Sequence, residues 1–556
     1  MNFKKINAGF AVAPQIKVED VAALKAQGYR AIISNRPDGE AADQPPFAAI
    51  AEAANAAGLK AVHVPVISGK ITDADVATFE AAMAELPGPV LAYCGSGTRA
   101  TTLWALSQAG KASTDAIMAQ AQEAGYDMTP HRGRIEQRQQ SATPTPDATY
   151  DLVIVGAGSA GIATAASLLH RKADLKIAII DPADTHYYQP GWTLVGGGVF
   201  SAEATKRAME PLIPKGVIWI KAAVASFAPA RNVVVLNDNR AIGYSRLVVC
   251  PGLRLDWDKI DGLTPTLGRH GVTSNYRYDL APYTWQLVQG LKKGRAVFTQ
   301  PPMPIKCAGA PQKAMYLSGD AWFRNGALPN VDIQFMNAGG ALFGVKEYVP
   351  ALMEYVQKYD ATLNFFHNLI AVDGPGKTAT FEVKAPETDV RQIDVTFDML
   401  HVCPPQSAPD FIRNSPLADV AGWVDVDQTT LRHKSWDNIW SLGDVMNAPN
   451  AKTMAAARKQ APVVAENIAA DIDGRAPVAA YNGYGSCPLT VARGKIVLAE
   501  FGYGGALAPS FPSWLIDGTK PSRLAWLLKE KALPPIYWNA MLKGREWLAH
   551  PDKINA

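Results

Sequence analysis

One eleven-residue stretch, residues 151–161 (DLVIVGAGSAG), limits the folds open to this chain more than any other. Residues 152–155 are apolar and predict a buried parallel strand, and an Ala-rich segment with helical spacing follows the glycines. Gly156 permits a tight turn, Gly158 allows the backbone to approach a phosphate, and Gly161 allows the helix to pack closely on the strand. The stretch therefore predicts the strand, loop and helix that open a Rossmann-type dinucleotide-binding domain.

Residues around this loop supply the partners that a bound dinucleotide needs. The amides of Ser159 and Ala160 start the predicted helix, whose positive end favours a phosphate group. A second apolar strand ends in Asp181, about where an acid binds the ribose hydroxyls in such domains. We also expect two further contacts with the cofactor, from Gln189, which follows this acid closely, and from the backbone of Val224 on a later strand.

A second cofactor signature lies far downstream. Residues 436–444 (WDNIWSLGD) predict a short apolar strand that ends in Gly-Asp, and a helix predicted over residues 451–468 follows. In flavoproteins with two dinucleotide-type domains an aspartate at this place binds the ribityl chain, and we assign that role to Asp444. Lys452 and the amide of Met454 open the helix, where both would stabilise negative charge on a reduced flavin. The two signatures in this order predict FAD.

A different sequence stands where NAD(P)H-linked flavoproteins have a second glycine fingerprint. The strand predicted over residues 296–300 ends in PPMPIKCAGAPQK. Because proline has no amide hydrogen to donate to a pyrophosphate, the sequence offers no evident binding loop for a nicotinamide cofactor. Cys307 lies at a predicted helix start between Lys306 and Lys313, a setting that favours the thiolate. We therefore predict a functional cysteine here.

The other cysteines in this part of the chain differ in their settings. Cys487 lies in YGSCPL, which predicts a loop, whereas Cys403 and Cys250 follow apolar runs typical of buried strands. With five scattered cysteines and no Cys-x2-Cys pair or histidine cluster, the sequence predicts neither a disulfide scaffold nor a metal site. A net charge of +3 gives no reason to expect nucleic acid as a partner.

Residues 1–127 predict a small α/β domain with a reactive loop. A strand predicted over residues 90–93 leads into CGSGTR, so Cys94 lies on a glycine-rich loop before a helix. Arg99 closes this loop with a planar fork suited to an oxyanion. Four residues separate Cys94 from Arg99, as in rhodanese loops, whereas tyrosine phosphatases have five. We therefore favour sulfur transfer, with a persulfide on Cys94, over phosphate hydrolysis.

The N-terminal region also resembles a known family. Residues 33–40 (ISNRPDGE) and the order of helices and strands resemble the phosphatase-like domains of sulfurtransferases and β-lactamase hydrolase-like proteins. The resemblance implies a phosphatase-like fold. Asp38 is interpreted either as a general acid or as a solvated turn residue, and the sequence leaves both open.

Three further boundaries follow from composition. Residues 128–149 are polar, contain Pro and Thr and lack periodicity, which predicts a mobile linker before the flavoprotein domain at residues 150–510.

Residues 511–556 interleave tryptophans with basic residues and predict amphipathic helices at a membrane interface; a capping tail with buried tryptophans is the alternative. The N-terminus lacks the apolar core of a signal peptide, which predicts a cytoplasmic chain, peripheral on the membrane.

From Tyr150 to about Arg545 the chain resembles the sulfide:quinone oxidoreductases of the mitochondrial type. The motifs that carry the resemblance are GAGSAG, HYYQPGWTLVGGG, KCAGAPQKAMYL, DMLHVCPPQSAPD, AGWVDVD, GDV with NAKT, and YGSCPL. The resemblance implies an α/β fold with two Rossmann-like domains and the FAD-dependent oxidation of hydrogen sulfide, with a quinone as electron acceptor. It places the two redox cysteines of the family on Cys307 and Cys487.

The resemblance further implies how the two cysteines act. They form a disulfide or a sulfur-bridged pair beside the flavin, sulfide attacks Cys487 to leave a persulfide, and the released Cys307 thiolate passes electrons to the flavin. Lys313 and Lys529 would stabilise the anionic groups. A small thiol such as glutathione would accept the sulfur, directly or by way of Cys94, and a homodimer is left open.

Two other function classes are weighed against this one. An NADH:quinone dehydrogenase-like flavoprotein with a fused tyrosine-phosphatase-like domain is disfavoured by the missing second fingerprint. A non-catalytic flavin or persulfide sensor would need a docking signal for a regulated partner, and the sequence offers none.

Overall fold

The computed structural model describes residues 3–112, 114–142 and 144–554, which form two compact units. The first unit takes in the described residues up to Asp147 together with the short segments Ser226–Val235 and Asn414–Pro416. The second unit takes in the remainder.

The first unit is built on one five-stranded sheet, whose strands are parallel except for the first. In spatial order they are Lys4–Asn7, Phe10–Ala13, Val90–Tyr93, Ala31–Ser34 and Lys60–His63. The helices are Asp20–Ala26, Phe47–Ala56, Asp73–Glu85, Thr98–Ser107, Thr114–Glu123 and Arg132–Ala142. The central strand Val90–Tyr93 is buried along its whole length and ends at Cys94, which places this thiol at the carboxyl edge of the sheet.

The segment predicted as a mobile linker contains the helix Arg132–Ala142. Ile135 is fully buried in the core of the first unit, and Arg134 donates to Asp73 at 2.8 Å and to the Ile71 carbonyl at 2.6 Å. The prediction of an unstructured linker is therefore wrong for these residues. One buried isoleucine and a set of arginine contacts hold the helix, and neither produces a visible apolar period in the sequence.

The second unit contains two parallel sheets, as the sequence predicts for a two-Rossmann α/β fold, and this fold class is confirmed. The first sheet has neighbouring parallel strands Ile218–Ile220, Ile177–Ile180, Ala148–Val155, Ala241–Val249 and Ile439–Ser441. Two further strands span Val224–Ala228 and Val233–Leu236. The second sheet has the order Val272–Thr273, Met399–His401, Gly294–Gln300, Val331–Asn337 and Ala361–Phe365.

Antiparallel strands complete the second unit. Three form a sheet in the order His367–Asp373, Thr378–Val383 and Arg391–Thr396. A hairpin pairs Gly485–Ala492 with Lys495–Phe501. Short two-stranded pairs join Thr185–Tyr187 to Lys206–Ala208, Arg254–Leu255 to Gln406–Ser407, and Ala479–Ala480 to Asp552–Lys553.

The helices of the second unit cover the parallel sheets and carry the chain terminus. They are Ser159–Arg171, Trp192–Gly196, Ala281–Gly290, Ala310–Asn325, Val349–Lys358, Asp410–Arg413, Met454–Ile472, Arg523–Leu527 and Leu533–Asn539. A π-helical turn, Leu528–Ala532, joins the last two. No helix in the described residues is long and apolar enough to cross a membrane.

The tryptophans of the C-terminal segment divide between the two interpretations of its sequence. Trp526 and Trp538 are buried, with 6% and 4% of their surface exposed. Trp514 and Trp547 are 83% and 58% exposed. The segment therefore both caps the second unit and presents aromatic side chains to its surroundings.

We expect Ile135→Ala to destabilise the helix Arg132–Ala142 by about 2–5 kcal/mol, because it empties a fully buried site. Native-state hydrogen exchange of the amides in this helix measures the change. Glu136→Gln is the control, because this side chain is 45% exposed and its ion pair contributes little. Exchange in the wild-type helix as fast as in an unfolded peptide would contradict the docking of this segment.

Candidate functional site

The dinucleotide loop has the geometry that its glycines predict. Gly156 has a φ of +106°, and a side chain on Gly161 would place its Cβ 1.9 Å from the Gly156 carbonyl oxygen. Gly158 precedes the helix without a side-chain cap, and the space above its Cα is open. The first amides of the helix Ser159–Arg171 are therefore available to an anion.

The loop opens into a cavity of about 490 Å³. The predicted site residues that line it are Gly158, Ser159, Ala160, Asp181, Gln189, Cys307, Lys313, Asp444, Met454 and Lys529. Among the described residues Val224 and Lys452 are not part of this wall, and Cys487 lies directly behind it. The structure thus brings together residues that are about 370 positions apart in the chain.

Asp181 organises the loop and also faces the cavity. Its carboxylate accepts hydrogen bonds from the amides of Ala157 at 2.7 Å and Ala183 at 2.8 Å. Gln189 lies further along the cavity and accepts a hydrogen bond from the Lys306 ammonium. Both side chains are therefore held in place at positions from which they can contact a ligand.

The second cofactor signature, which contains Asp444 and Lys452, is only partly arranged as the sequence predicts. Asp444 lines the cavity, and burial raises the pKa of its carboxyl group. The Lys452 ammonium instead donates to the carbonyls of Asp444 and Met446 and lies 4.1 Å from the centre of the Trp423 ring. Burial lowers the pKa of Lys452 to about 8. The donors of this ammonium are therefore directed at backbone carbonyls, and its predicted stabilisation of a reduced flavin stays a prediction.

Cys307 and Cys487 lie side by side. Their sulfur atoms are 3.7 Å apart, which is contact distance without a covalent bond. The Lys313 ammonium lies 3.1 Å from the Cys307 sulfur and 3.6 Å from the Cys487 sulfur. These residues come from the loop before the helix Ala310–Asn325, from that helix itself and from the hairpin.

This arrangement assigns different protonation states to the two thiols. A hydrogen bond from Cys487 and the positive charge of Lys313 hold the pKa of Cys307 well below its usual value, although burial opposes them. The same hydrogen bond and burial raise the pKa of Cys487. Because the Lys313 ammonium lies closer to the Cys307 sulfur than to the Cys487 sulfur, the arrangement favours the negative charge on Cys307. Of the two, only Cys307 lines the cavity.

Backbone contacts fix the position of Cys307. Its φ of +50° lies in the left-handed region, and its amide donates to the Lys452 carbonyl at 2.8 Å. Its own carbonyl accepts from the amide of Ala310 at 2.7 Å. Lys452 thus contributes to the site through its backbone, a role that the sequence did not indicate.

Cys487 lies on a strand, so the predicted loop around it is wrong. It pairs with Ala499 across the hairpin Gly485–Ala492 and Lys495–Phe501, and its side chain is buried against Gly309. A Cβ on Gly309 would come 2.4 Å from the Cys487 sulfur. The glycines and proline around Cys487 predict a turn locally, and strand pairing overrides them.

Lys529 reaches the cavity from the π-helical turn of the C-terminal segment. Its ammonium donates to the Pro488 carbonyl at 3.4 Å. Burial, with the Lys313 ammonium close by, lowers the pKa of Lys529 to about 7. The extra residue of a π-turn alters which side chain faces inward, which is why simple helical spacing does not identify this lysine.

The first unit holds its own cysteine site. Cys94 is buried, and its sulfur accepts from the amide of Gly97 at 3.1 Å. The Arg99 fork is occupied, because it donates to both oxygens of Glu40 at 2.7 Å. A free fork for an oxyanion, as the sequence predicts, is therefore not present. Arg36 also donates to Glu40, at 2.9 Å.

Two acidic residues of this first unit have roles that their sequence context leaves open. Glu40 stands at the end of ISNRPDGE, which is the signal that could have identified it. Asp38 accepts from the amide of Phe47, the first residue of the helix Phe47–Ala56, at 2.8 Å. Elsewhere, Cys250 and Cys403 are buried, and burial raises the pKa of both thiols, to about 12 for Cys403.

Two protein-family models match the chain. The phosphatase-like domain of β-lactamase hydrolase-like proteins matches residues 2–111. The pyridine nucleotide-disulphide oxidoreductase family, whose members are flavoproteins, matches residues 150–282. The two families thus match different parts of the chain, in agreement with the division that the sequence motifs indicate.

Individual relatives extend the second match. The mitochondrial sulfide:quinone oxidoreductase of Dictyostelium discoideum is 42% identical over 407 residues, which cover 73% of this chain and 88% of the relative. That of Mus musculus is 40% identical over 398 residues, which cover 71% and 87%. The crystal structure of the sulfide:quinone oxidoreductase from Aquifex aeolicus covers 72% of this chain and 98% of its own, with a TM-score of 0.60 and 18% identity, and shows a shared fold.

We expect Lys313→Met to raise the pH at which Cys307 ionises, because the substitution removes the positive charge 3.1 Å from its sulfur. Ultraviolet absorbance of the thiolate as a function of pH, with Cys307→Ser as the blank, measures the change. Lys346→Met, at an exposed position, serves as the control. An unchanged titration in the Lys313 variant would show that hydrogen bonding alone determines the thiolate.

Proposed function

The chain belongs to the sulfide:quinone oxidoreductase family, and we propose that it oxidises hydrogen sulfide at Cys307 and Cys487 and passes the electrons through FAD to a quinone. One observation carries the proposal. Two sulfur atoms lie 3.7 Å apart beside a buried ammonium, and one of them, that of Cys307, is in the wall of a cavity that begins at a dinucleotide loop.

The cavity fits FAD. A side chain at Gly161 would clash with the backbone, and the helix start at Ser159 is uncapped, so this end suits a pyrophosphate. Further along, Asn275 and Trp192 have buried polar side-chain atoms for which the described residues supply no partner. Bound polar groups would satisfy these atoms. When bound, FAD supplies a two-electron acceptor.

Named residues would hold each part of the cofactor. The amides of Ser159 and Ala160 would bind the pyrophosphate, and Asp181 would bind the ribose. Asp444 would accept from the ribityl hydroxyls, and the uncapped amide of Met454 at the start of Met454–Ile472 would face the polar edge of the ring.

The cysteine pair is proposed to carry the sulfur. In its oxidised form the pair is joined by a disulfide or by a bridging sulfur. In the disulfide form, hydrosulfide forms a bond with the Cys487 sulfur as the bond between the Cys487 and Cys307 sulfurs breaks, and Cys307 leaves with the electron pair as a thiolate. Cys487 then holds the sulfane sulfur as a persulfide. A thiolate stabilised by Lys313 is a good leaving group, and Cys307 faces the cavity, where the electron acceptor binds.

The two lysines, Lys313 and Lys529, have different electrostatic roles. Lys313 stays charged, because the neighbouring sulfur atoms raise its pKa even though burial opposes them. Lys529, whose pKa is about 7, can exchange a proton near neutral pH. We propose that Lys313 stabilises the thiolate and that Lys529 takes up the proton released by hydrosulfide.

A quinone is proposed to enter from a membrane surface. Large apolar side chains of the C-terminal part of the chain are exposed, namely Leu507, Trp514, Leu515, Leu524, Leu527, Trp547 and Leu548. Aromatic and aliphatic residues of this kind, beside basic residues, suit the interfacial region of a bilayer. An NADH-dependent activity is disfavoured, because the strand Gly294–Gln300 leads into prolines and the Cys307 turn rather than a glycine loop.

The N-terminal unit is proposed to handle the product. Cys94 would accept the sulfane sulfur, directly or through a small thiol such as glutathione, and would carry it as a persulfide. Linking both units in one chain raises their effective concentration to about the millimolar range if the sites can meet. The carboxylate of Glu40 on Arg99 disfavours a phosphate dianion at this loop, which favours sulfur transfer over phosphate hydrolysis.

We expect sulfide to bleach the flavin of the wild-type protein under anaerobic conditions and NADH to leave it oxidised. Cys307→Ser and Cys487→Ser should each slow the sulfide reaction by roughly 10³-fold or more, because each removes one half of a unit that acts together. Stopped-flow absorbance measures the rates, and Cys403→Ala is the matched cysteine control. Reduction by NADH, or retained sulfide activity in either serine variant, would count against the proposal.

We expect Cys94→Ser to lose sulfur transfer to glutathione by the N-terminal unit, while the rate of flavin reduction by sulfide stays unchanged. Mass spectrometry of the peptide that contains Cys94 should detect a persulfide after turnover of the wild type. Equal formation of glutathione persulfide by the variant and the wild type would remove this part of the proposal.

A further inference from the structure

The hairpin that carries Cys487 has two chemically different faces. Side chains alternate along its strands, so Cys487 points to one face while Ser486 and Pro488 point to the other. Across the hairpin, Leu498 pairs with Pro488, and Glu500 pairs with Ser486. These four neighbours line the cavity, whereas Cys487 lies behind them. The hairpin therefore separates the thiol pair from the part of the cavity in front of it.

That part of the cavity is mainly apolar. Phe511 and Leu528 also line the cavity and pack in one hydrophobic cluster with Leu498. Such a surface suits the ring and tail of a quinone better than a hydrophilic substrate.

Glu500 places a carboxyl group in this apolar wall, with only 5% of the residue exposed. Its two carboxylate oxygens accept from the hydroxyl of Tyr484 at 2.6 Å and from the amide of Ser510 at 3.1 Å. The backbone carbonyl and amide of Glu500 both bond to the hydroxyl of Tyr348, at 2.9 and 3.0 Å. A buried carboxylate is costly even when it is hydrogen-bonded, and nothing in the packing of the hairpin requires one here.

A short chain of hydroxyl groups leads from this carboxylate along the cavity. The Tyr484 hydroxyl lies 2.6 Å from Glu500 and 3.2 Å from the Ser510 hydroxyl, and all three residues line the cavity. Burial, with the Glu500 carboxylate beside it, raises the pKa of Tyr484, so its hydroxyl keeps its proton at neutral pH. Protons can move along such a chain one hydrogen bond at a time.

We propose that Tyr484 donates a proton to the quinone and that Glu500 positions this hydroxyl and restores its proton. The proposal rests on the proposed quinone reduction. Forming a quinol from a quinone takes two electrons and two protons. A bound reduced flavin would supply both electrons and one proton, and the protein would have to supply the second proton.

The proton transfer balances within the described groups. The O–H bond of Tyr484 breaks as an O–H bond forms on the quinone oxygen. The phenolate then takes a proton from the carboxyl group of Glu500, which has received that proton from a hydronium ion of the solvent, leaving water. Glu500 returns to the carboxylate, and Tyr484 again donates to it.

The cations around this pair lie on the helix Met454–Ile472. The Lys459 ammonium lies 5.4 Å from the centre of the Tyr484 ring, and the positive charge of Arg458 acts on the same tyrosine. Burial lowers the pKa of Lys459. Lys459 and Tyr348 interact electrostatically with Glu500, and Arg458 interacts with Tyr484.

The experiment separates the quinone step from the sulfide step. Full-length holoenzyme is reduced anaerobically with dithionite and mixed with a short-chain ubiquinone in a stopped-flow instrument. We expect Tyr484→Phe and Glu500→Gln each to slow reoxidation by roughly a hundredfold. Glu354→Gln, which removes an exposed carboxylate elsewhere, should have no effect. The rate of flavin reduction by sulfide should stay at the wild-type value in all three variants.

Two readouts exclude a purely structural role. The affinity of the oxidised variants for the same quinone, measured by quenching of tryptophan fluorescence, should stay within about threefold of the wild type. The solvent deuterium isotope effect on reoxidation should differ between the wild type and Tyr484→Phe, because in the variant the second proton must reach the quinone by another route.

The outcomes distinguish this inference from the function on which it rests. Wild-type reoxidation rates in both variants, or slow rates explained by lost quinone affinity, would overturn the inference. A wild-type protein that sulfide cannot reduce, but that quinone reoxidises with the expected dependence on Tyr484, would overturn only sulfide as the substrate. A reduced wild type that does not react with quinone would overturn both.

Discussion

The contact between the Lys313 ammonium and the Cys307 sulfur is the interaction on which the rest of the site depends. Both groups are inside the protein, where an unpaired charge would be costly and where a thiol would otherwise keep its proton. Three elements converge to make the contact: the turn at Cys307, the first turn of the helix Ala310–Asn325, and the hairpin strand that brings Cys487 alongside. Without the ammonium, the pair would be two buried thiols of low reactivity.

The hairpin of residues 485–501 places different side chains on its two faces. One of its faces carries Cys487, and the opposite face carries Glu500 in a mainly apolar wall. Sulfur chemistry and proton delivery can therefore take place close to one cofactor site without sharing space. The C-terminal segment contributes to both faces of the hairpin. Lys529 donates to the carbonyl of Pro488, the residue after Cys487, and Leu528, its neighbour in the π-turn, lines the apolar part of the cavity.

Local signals predicted some parts of the site well and others badly. The strand, glycine loop and helix around Gly156 involve contacts within a few residues, and the structure has them as predicted. The prediction of a loop around Cys487 was wrong because glycine and proline indicate a turn locally, whereas pairing across the hairpin with Lys495–Phe501 makes this segment a strand. The position of Lys452 at the start of a helix did not predict where its long side chain points, which is towards backbone carbonyls. Glu40 was missed because its partner, Arg99, is 59 residues away.

The sequence by itself determined the architecture and the glycine loop, because these are encoded in short motifs whose residues act together, and the family resemblance pointed to Cys307 and Cys487 as a pair. Only the tertiary structure decided which thiol is ionised, that the Arg99 fork is taken by Glu40, and that Glu500 faces the cavity. Each of these is a matter of distance and burial between groups far apart in the chain. Charge and proton affinity depend on such surroundings and not on the order of residues.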